Sequence, residues 1–326
     1  MAIRVAINGF GRIGRLVLRS IIEHDRKDIE VVAINDLGPV ATNAHLLRFD
    51  SVHGRFPADV QVDGDKTAIR DPKDLPHRER DSDIAMECTG IFADKEKASA
   101  HLAAGAKRVL VSAPATNADK TIVFGVNHQT ITKDDMVVSN ASCTTNCLSP
   151  VAKVLNDLVG IEKGMMTTIH SYTNDQPSLD QMHKDLYRGR AAAPCPIPTS
   201  AGAAPAVGPV LPALNRKRGG FSIRVPTPNV SVVDLKFIAK RKTTPEEINN
   251  AIIAAANDGP MKGVLGFTDQ PNVSVDFIHD NRSSIFHLDQ TKVMDGNFVS
   301  ILTWYDNEWG FATRMSDTAL VMAKFL

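Results

Sequence analysis

The sequence is short of the features that assign many proteins to a class at once. Four cysteines in 326 residues are too few for a disulfide framework, which indicates a reducing compartment. Lys+Arg and Asp+Glu both number 37, and the formal net charge of +0 provides no overall field for nucleic acid or an anionic membrane. No apolar run approaches the ~18 residues of a membrane span, and Met1–Ile7 has the pattern of a strand rather than of a signal peptide. We therefore expect a cytoplasmic protein that binds neither nucleic acid nor a membrane.

The sequence contains enough apolar residues to form buried cores. The hydrophobic fraction is 43%, and at ~150 residues per domain the length predicts two domains. Neither an internal repeat nor a low-complexity segment interrupts the chain. The composition is therefore that of an ordinary globular protein.

The first motif joins a strand, a glycine-rich turn, a helix, a second strand and an acid. A strand around Ile3–Ile7 leads into Gly9, Gly11 and Gly14 in the spacing Gly-x-Gly-x-x-Gly, and apolar residues at helical spacing follow. The first glycine permits a tight turn, the second lets the backbone approach a pyrophosphate, and the third lets helix and strand pack closely. Asp36 ends the second strand, Ile29–Asn35. Its carboxylate would accept hydrogen bonds from a ribose and repel a 2′-phosphate, so this motif predicts NAD rather than NADP.

The remainder of the first half alternates strands with helical segments. Strand-like runs occur at Ile84–Cys88, Val109–Ser112, Thr121–Gly125 and Val137–Ser139. This alternation predicts a parallel, doubly wound α/β sheet. Ligands bind at the carboxyl ends of such strands, which adds Thr89 and Ser112 to the expected cofactor contacts. Arg70 is placed to reach the adenine side, although the ordinary interpretation of a lone arginine is a solvated side chain.

The pattern changes after the predicted helix that begins at Cys143. Strand patterns at Met165–Ser171, Val230–Ile238, Val273–Ile278 and Phe298–Tyr305 are separated by long connections. They predict a mostly antiparallel sheet with helices on one side. A long loop from Tyr172 to about Pro196 carries several charged residues. We expect a second, α+β domain here.

Cys143 lies where a strand gives way to a helix. The positive end of a helix dipole and its unpaired N–H groups favour an anion, so a thiol there should ionise readily and act as a nucleophile. Most cysteines are instead small buried hydrophobes, and from this position alone both interpretations stand. Cys147, one turn further on, has the spacing of a metal or disulfide partner, but no cluster of Cys or His accompanies it. We expect no metal site.

Six segments of the sequence together carry a family resemblance. They are Asn8-Gly9-Phe10-Gly11-Arg12-Ile13-Gly14-Arg15, Asp50-Ser51-Val52-His53-Gly54, Ala141-Ser142-Cys143-Thr144-Thr145-Asn146-Cys147, His170-Ser171-Tyr172-Thr173-Asn174-Asp175-Gln176, Arg224-Val225-Pro226-Thr227-Pro228-Asn229 and Trp304-Tyr305-Asp306-Asn307-Glu308-Trp309-Gly310. With these segments the chain resembles the phosphorylating glyceraldehyde-3-phosphate dehydrogenase family over essentially its whole length.

The resemblance implies a two-stage oxidation of glyceraldehyde 3-phosphate to 1,3-bisphosphoglycerate. Cys143 would attack the aldehyde, with His170 taking the thiol proton, and a thiohemiacetal and then a thioester would form on Cys143. Inorganic phosphate would cleave the thioester. The implied substrate contacts are Ser142, Thr144, Thr173, Asp175, Arg188, Gly202 and Arg224. With the turn and the strand ends, the expected cofactor contacts are Asn8, Gly9, Gly11, Arg12, Ile13, Gly14, Asp36, Arg70, Thr89, Ser112 and Asn307, the last to the nicotinamide carboxamide.

The resemblance also implies domain limits and an assembly. Residues 1–142, completed by a C-terminal helix 309–326, would form a Rossmann-type NAD-binding domain, and residues 143–308 the catalytic domain. The family is homotetrameric, with the long loop near a neighbour's cofactor site.

Three positions depart from the family pattern. Ala201 stands where a threonine hydroxyl usually faces the attacking phosphate, which predicts a raised phosphate KM. The segment Leu179–His183 lacks the Leu-Pro pair common in strictly NAD-dependent members, and Phe311 replaces a frequent tyrosine.

Two other functions compete with this hypothesis. One is a sister enzyme that oxidises erythrose 4-phosphate and shares the fold, the cysteine and the histidine. The other is a non-enzymatic NAD sensor or RNA-binding scaffold. The presence of Cys143 and His170 and the neutral charge argue against the second.

Overall fold

The computed structural model describes residues 2–64, 68–200, 203–215 and 218–326. The chain divides into two compact units. Unit one comprises Met1–Ser142 and Phe311–Leu326, and unit two comprises Cys143–Gly310.

Unit one is built around a parallel sheet. In the described chain its strands run in the order β2-β1-β5-β6-β8-β7, and every neighbouring pair is parallel. A short antiparallel pair, β3 and β4, lies outside it. The elements are β1 Ile3–Asn8, α1 Arg12–Glu23, β2 Ile29–Asn35, α2 Val40–Arg48, β3 Phe49–Asp50, β4 Gly54–Arg55, β5 Ile84–Glu87, α3 Lys95–Ala98, α4 Ala100–Ala103, β6 Arg108–Val111, β7 Lys120–Thr121 and β8 Val137–Ser139. The predicted doubly wound sheet is confirmed.

The strand order creates a crevice beside β1. The chain passes from β1 outward to β2 on one side, and the next strand of the sheet, β5, pairs with β1 on the other. β5 and β6 are buried at every residue, as expected for strands covered on both faces. The carboxyl ends of β1 and β5, at Asn8 and Glu87, pair directly. Ligands of open α/β sheets bind at such a reversal of strand order.

Unit two is built around a mixed sheet. Its described strands run in the order β10-β11-β9-β12-β16-β14-β13, with β15 paired to β16, and only β11–β9 and β13–β14 are parallel. The elements are α5 Cys143–Val159, β9 Ile161–Ser171, β10 Ile197–Ser200, α6 Ala203–Val210, β11 Arg218–Val225, β12 Ser231–Ala239, α7 Pro245–Asn257, β13 Leu265–Thr268, β14 Ser284–His287, β15 Lys292–Met294 and β16 Phe298–Tyr305. The predicted α+β architecture with a mostly antiparallel sheet is confirmed.

The last helix, α8, spans Trp309–Ala323. Within unit one, Thr313 Oγ1 lies 3.2 Å from Ser20 Oγ, and Thr318 Oγ1 donates to Asn140 Oδ1 over 2.8 Å. Asp317 pairs with Arg26 over 2.9 Å. These contacts tie the end of the chain to both its beginning and its middle.

One predicted strand, Val273–Ile278, is wrong. The segment forms a 3-10 turn at Ser274–Phe277. Val273 and Val275 are 58% and 64% exposed while Phe277 is buried, so the apolar residues lack a common sheet face. The carboxylate of Asp276 accepts the N–H of Val273 over 2.8 Å, which closes the turn. The further 3-10 turns are Pro72–Asp74, His128–Thr130, Pro212–Leu214, Gly259–Met261 and Leu288–Gln290.

Within the described residues, no helix combines the length and apolar character needed to cross a membrane. The same part of the chain contains no group of three or more His, Cys, Asp or Glu side chains arranged to hold a metal ion.

Candidate active site

The glycine-rich turn of unit one has no room for side chains at two of its glycines. Gly9 has φ +89°, and a Cβ there would lie 2.7 Å from the backbone nitrogen of Thr89. A Cβ on Gly14 would lie 2.0 Å from the carbonyl oxygen of Gly9, which explains the close packing of α1 on β1. A Cβ on Gly11 would meet nothing within 4 Å. Backbone is therefore open to a ligand at Gly11, immediately before an α1 N-terminus that has no side-chain cap, as a pyrophosphate requires.

Asp36 is anchored at the end of β2. Its carboxylate accepts the N–H of Phe10 over 2.7 Å, the N–H of Gly38 over 2.8 Å and the amide of Asn43 over 3.3 Å. Partial burial opposes its charge, but the hydrogen bonds from Gly38 and Phe10 outweigh that effect and lower the pKa of Asp36. Asp36 is therefore ionised at neutral pH, as a ribose acceptor needs.

A cavity of about 350 Å³ joins this carboxylate to the glycine turn. Among the expected cofactor residues of unit one, its lining contains Asn8, Gly9, Gly11, Asp36, Arg70 and Thr89, together with Leu37, Ile91 and Phe92. Arg12, Ile13, Gly14 and Ser112 lie outside this lining. Open backbone at a helix N-terminus, an ionised acid and apolar walls suit a dinucleotide, so the residues present fit NAD.

Arg12 has a different partner. Its guanidinium pairs with Asp50, and that carboxylate also accepts the N–H groups of Val52 and His53 over 2.9 Å each. Burial opposes the charge of Asp50, yet these N–H groups and Arg12 together lower its pKa to about 2. The segment Asp50–Gly54 of the family resemblance therefore fastens Arg12 at the start of α1.

Sequence analysis missed a buried network that supports the same turn. Glu87 accepts the N–H of Thr89 over 2.8 Å and the amide of Asn8 over 2.7 Å, and its carboxylate lies 2.9 Å from His101 Nε2. His101 Nδ1 lies 2.9 Å from His77 Nε2. The available signal was an acid at the end of a wholly apolar strand.

In unit two, the reactive pair consists of Cys143 and His170. α5 begins at Cys143, and β9 delivers His170. Cys143 Sγ lies 3.5 Å from His170 Nε2. A thiol and an imidazole at this distance can exchange a proton directly.

The expected low pKa of the thiol is wrong for this structure. Burial raises the pKa of Cys143, and the positive charge of Arg224 and the hydrogen bonds of Thr144 offset that only in part. Burial, and then the charge of Arg224, lower the pKa of His170 to about 3. Both shifts favour the uncharged forms of the two groups, a thiol and a neutral imidazole.

Arg224 lies next to His170 in the sheet. The two residues are Cα partners in the parallel pairing of β11 with β9. Arg224 Nη1 lies 2.7 Å from His170 Nδ1 and donates to the carbonyl of Ser171 over 3.1 Å. The guanidinium thus places a positive charge at the side of the imidazole away from the thiol.

Two expected ligand residues are held by hydroxyl groups that sequence analysis missed. Asn307 Oδ1 accepts from Ser171 Oγ over 2.7 Å and from Ser231 Oγ over 2.9 Å. Thr144 Oγ1 lies 2.8 Å from Tyr305 OH. Both sets of contacts are buried and fix the side-chain orientation.

The long loop contains three predicted substrate residues, Thr173, Asp175 and Arg188. The N–H of Thr173 donates to Gln176 Oε1 over 3.0 Å. Asp175 pairs with Arg188, and His183 Nε2 lies 3.3 Å from the same carboxylate. In this arrangement the charge of Arg188 is already neutralised by Asp175.

Four further positions complete the account. Ser142 is half-buried immediately before α5, while Gly202 and Ala201 lie outside the described residues. Cys147 is fully buried, with Sγ 3.7 Å from Ser284 Oγ, and burial raises the pKa of Cys147 to about 12. Cys147 is therefore a packing residue.

Comparisons with known proteins agree with this geometry. Residues 3–95 match the family described as glyceraldehyde 3-phosphate dehydrogenase, NAD binding domain, and residues 142–307 match the C-terminal domain of the same enzyme. The chain is 70% identical to the glyceraldehyde-3-phosphate dehydrogenase of Xanthobacter flavus, with 99% of each chain covered, and 69% identical to that of Cereibacter sphaeroides, with 100% of each covered. It is 56% identical to the enzyme of Zymomonas mobilis, again with 100% of each covered. The chain therefore belongs to the glyceraldehyde-3-phosphate dehydrogenase family.

Proposed function

We propose that this protein oxidises glyceraldehyde 3-phosphate to 1,3-bisphosphoglycerate with NAD and inorganic phosphate. The observation that carries the proposal is the approach of Cys143 Sγ to His170 Nε2 at the start of α5. The names of the similar enzymes support the triose substrate and do not favour erythrose 4-phosphate.

The chain's own groups carry the covalent steps. Cys143 Sγ forms a bond to the aldehyde carbon as His170 takes the thiol proton and passes it to the carbonyl oxygen, which becomes the hydroxyl of a thiohemiacetal. Bound NAD would supply the two-electron acceptor for the hydride of this carbon. As the hydride leaves, His170 takes the hydroxyl proton, and a thioester remains on Cys143. An oxygen of inorganic phosphate attacks the thioester carbonyl, the C–S bond breaks, the acyl phosphate leaves, and His170 returns the proton to Cys143.

The ligand contacts divide between the two units. In unit one, Gly9 and Gly11 present backbone to the pyrophosphate of NAD, and Asp36 accepts from its ribose. The remaining proposed NAD contacts of unit one are Arg12, Ile13, Gly14, Arg70, Thr89 and Ser112. In unit two, Asn307 forms the hydrogen bond to the carboxamide of the nicotinamide.

Hydroxyl, N–H and guanidinium donors serve the two phosphates. Thr173, Asp175 and Arg224 surround the phosphate of the substrate. Ser142, Thr144, Gly202 and Arg224 border the attacking phosphate, with Arg188 nearby.

The proposed NAD-binding domain comprises residues 1–142 with helix 309–326, and the catalytic domain residues 143–308. We further propose a cytoplasmic homotetramer. Leu179, Met182 and Leu186 on the long loop are 80%, 96% and 87% exposed, which supports a partner for that loop. Light scattering at several concentrations measures the assembly.

The decisive experiment is NADH formation from glyceraldehyde 3-phosphate with and without inorganic phosphate. We expect steady turnover with phosphate and a single burst without it, because the thioester then accumulates. Cys143→Ser should abolish both. Erythrose 4-phosphate is assayed beside the triose, and a higher kcat/KM for the four-carbon aldehyde would overturn the assignment.

A further inference from the structure

A second cavity of about 330 Å³ lies beside the cofactor cavity in unit one. It is bounded by β1, β2 and the segment 69–80. Its apolar lining includes Ala6, Ile7, Val32, Ile34, Leu75 and Pro76. Since an apolar cavity of about 150 Å³ is enough to hold benzene, a molecule with a single ring fits in this one.

The wall between the two cavities is made of polar groups that are already bonded to one another. Asn8, Asn35 and Ile69 line both cavities. Asn8 Nδ2 donates to Glu87 over 2.7 Å, and Asn8 Oδ1 accepts from Asn35 Nδ2 over 2.7 Å. Asn35 also exchanges hydrogen bonds of 2.8 and 3.1 Å with the backbone of Ile69. This wall therefore offers no unsatisfied group to a ligand and separates the second cavity from the cofactor cavity.

His77 contributes the polar atom that does need a partner. The residue lines the second cavity and is only 3% exposed. Its Nε2 lies 2.9 Å from His101 Nδ1, whereas its Nδ1 has no hydrogen-bond partner within the described chain. Burial, followed by the neighbouring His101, lowers the pKa of His77 to about 4, so at neutral pH the ring holds one N–H and one lone pair. Because buried polar atoms are normally hydrogen-bonded, Nδ1 marks a place for a ligand group.

The network behind His77 determines which group suits Nδ1. The carboxylate of Glu87 accepts from Asn8 and from the N–H of Thr89. His101 Nε2, which lies 2.9 Å from the same carboxylate, is therefore the donor of that contact. His101 Nδ1 then accepts the proton on His77 Nε2. This order leaves the lone pair on His77 Nδ1, and a hydroxyl group of a ligand can donate to it.

Arg80 adds a positive charge to the same cavity. Its side chain is exposed and lines the cavity. Its carbonyl oxygen accepts from Arg4 over 3.0 Å, but its guanidinium has neither a hydrogen bond nor an ion pair among the described residues. A guanidinium binds a carboxylate through two parallel hydrogen bonds. Apolar walls, one acceptor nitrogen and one unpaired guanidinium together suit an aromatic carboxylic acid that carries a hydroxyl group.

We propose that this cavity binds a hydroxylated aromatic carboxylate, with the carboxylate on Arg80, the ring against β1 and β2, and the hydroxyl donating to His77 Nδ1. A hydroxyl at that nitrogen keeps the His77 proton on Nε2. Glu87 then stays an acceptor for Thr89, which lines the cofactor cavity. Occupation should therefore tighten NAD binding, and NAD should tighten the binding of the acid by the same factor. The site would act through cofactor affinity, whichever aldehyde is oxidised.

The first test is isothermal titration calorimetry of the full chain, free of NAD, with 4-hydroxybenzoate. We expect one site per chain. Benzoate, which lacks the hydroxyl, should bind about twofold to tenfold more weakly, as expected for the loss of one neutral hydrogen bond. Phenol, which lacks the carboxylate, should bind up to about fivefold more weakly, as expected for an exposed ion pair. No binding, or equal affinity for all three compounds, overturns the proposal.

Variants assign the two contacts. His77→Phe keeps a ring but removes the acceptor nitrogen, so it should bind 4-hydroxybenzoate and benzoate equally. Arg80→Gln, a change at the surface, should weaken both acids and leave the affinity for phenol unchanged. Arg78→Gln is the matched control, because Arg78 is an exposed arginine of the same segment that lies outside the cavity lining. If Arg78→Gln and Arg80→Gln weaken the acids equally, the carboxylate is not bound where we propose.

The second test measures the Kd for NAD by fluorescence at zero and at saturating 4-hydroxybenzoate. We expect the Kd to fall about fivefold, at the lower end of usual couplings between sites. In His77→Phe the acid should leave the Kd unchanged. A rise in the Kd of the unaltered protein would show that the acid occupies the cofactor cavity, and a constant Kd that the network transmits nothing. Either result overturns the proposal.

Discussion

At the scale of single residues, the structure changes what is expected of Cys143. Its position at the first residue of α5 was predictable from the sequence, because strand and helix patterns meet there. Its raised pKa was not, since burial depends on residues distant in the chain. Arg224, which acts electrostatically on both Cys143 and His170, comes from β11, a strand that the sequence pattern did not reveal.

Alkylation by iodoacetamide tests the state of the thiol. Because the thiolate is the reactive form and the pKa of Cys143 is raised, the rate should climb with pH and reach half its maximum above the ~8.5 of an ordinary thiol. His170 is neutral at these pH values, so His170→Asn should leave this profile in place. The same variant should slow thioester formation by about 10²–10⁴, the usual contribution of a general base. Cys143→Ser gives the background from the other cysteines. A midpoint below 8.5 would show a preformed thiolate.

We expect the carboxylate of Asp36 to select NAD over NADP. Asp36→Gly should weaken NAD binding by about one to two decades, since hydrogen bonds to a charged group contribute ~1.5–3 kcal/mol, and should relax the rejection of NADP. Asp36→Asn is the matched control, because it keeps the shape of the side chain and one acceptor oxygen but removes the charge. Titration of each cofactor by fluorescence measures both effects. Equal kcat/KM for NAD and NADP in the unaltered protein contradicts the assignment.

At the scale of elements, buried and strongly patterned segments were the predictable ones. The predicted limits of β2 are the observed ones. The start of α7 was predicted from Thr244, whose hydroxyl accepts the N–H of Glu247. Strands such as β10, β11 and β14 were missed. They are short or contain glycine, serine and proline, so only their pairing with neighbours defines them. The prediction of a strand at Val273–Ile278 was wrong because the carboxylate of Asp276 closes a turn within this apolar stretch.

The network that joins β5 to α4 yields a prediction at the same scale. His101→Leu leaves the buried carboxyl group of Glu87 without its imidazole partner, and a buried acceptor left unsatisfied costs about 1–3 kcal/mol. Hydrogen exchange of the β5 amides should accelerate accordingly. The Kd for NAD should rise several-fold, because Glu87 also holds the N–H of Thr89 beside the cofactor cavity.

His101→Gln serves as the control for this change, as its amide can still donate to Glu87. We expect it to retain most of the hydrogen-exchange protection. If the leucine variant binds NAD with unaltered affinity, the network supports the fold of unit one but not its cofactor turn.

At the scale of the whole molecule, unit one is assembled from two distant parts of the chain. Met315, Ala319 and Met322 of α8 are fully buried, and Thr318 bonds to Asn140. Removal of residues 311–326 should therefore abolish NAD binding and expose β1 to hydrogen exchange. Amides of β9 and β12 in unit two should stay protected. A chain shortened only by residues 324–326, beyond the end of α8, should still bind NAD, and loss of protection throughout both units would show that their stabilities are not separate.

This discontinuity has a consequence for how the protein is made. Met1–Ser142 leaves the ribosome first, but its closing helix follows only after all of Cys143–Gly310 has been translated. At about 5–20 residues per second, that interval lasts roughly 10–30 seconds. During that interval the contacts of Ser20 with Thr313 and of Asn140 with Thr318 cannot form. Unit two, whose chain is continuous, can complete its sheet as soon as β16 emerges. Unit one thus contains the segment that is synthesised first, yet it completes its fold last. A nascent-chain chaperone would be needed at the surface of unit one that is incomplete without α8.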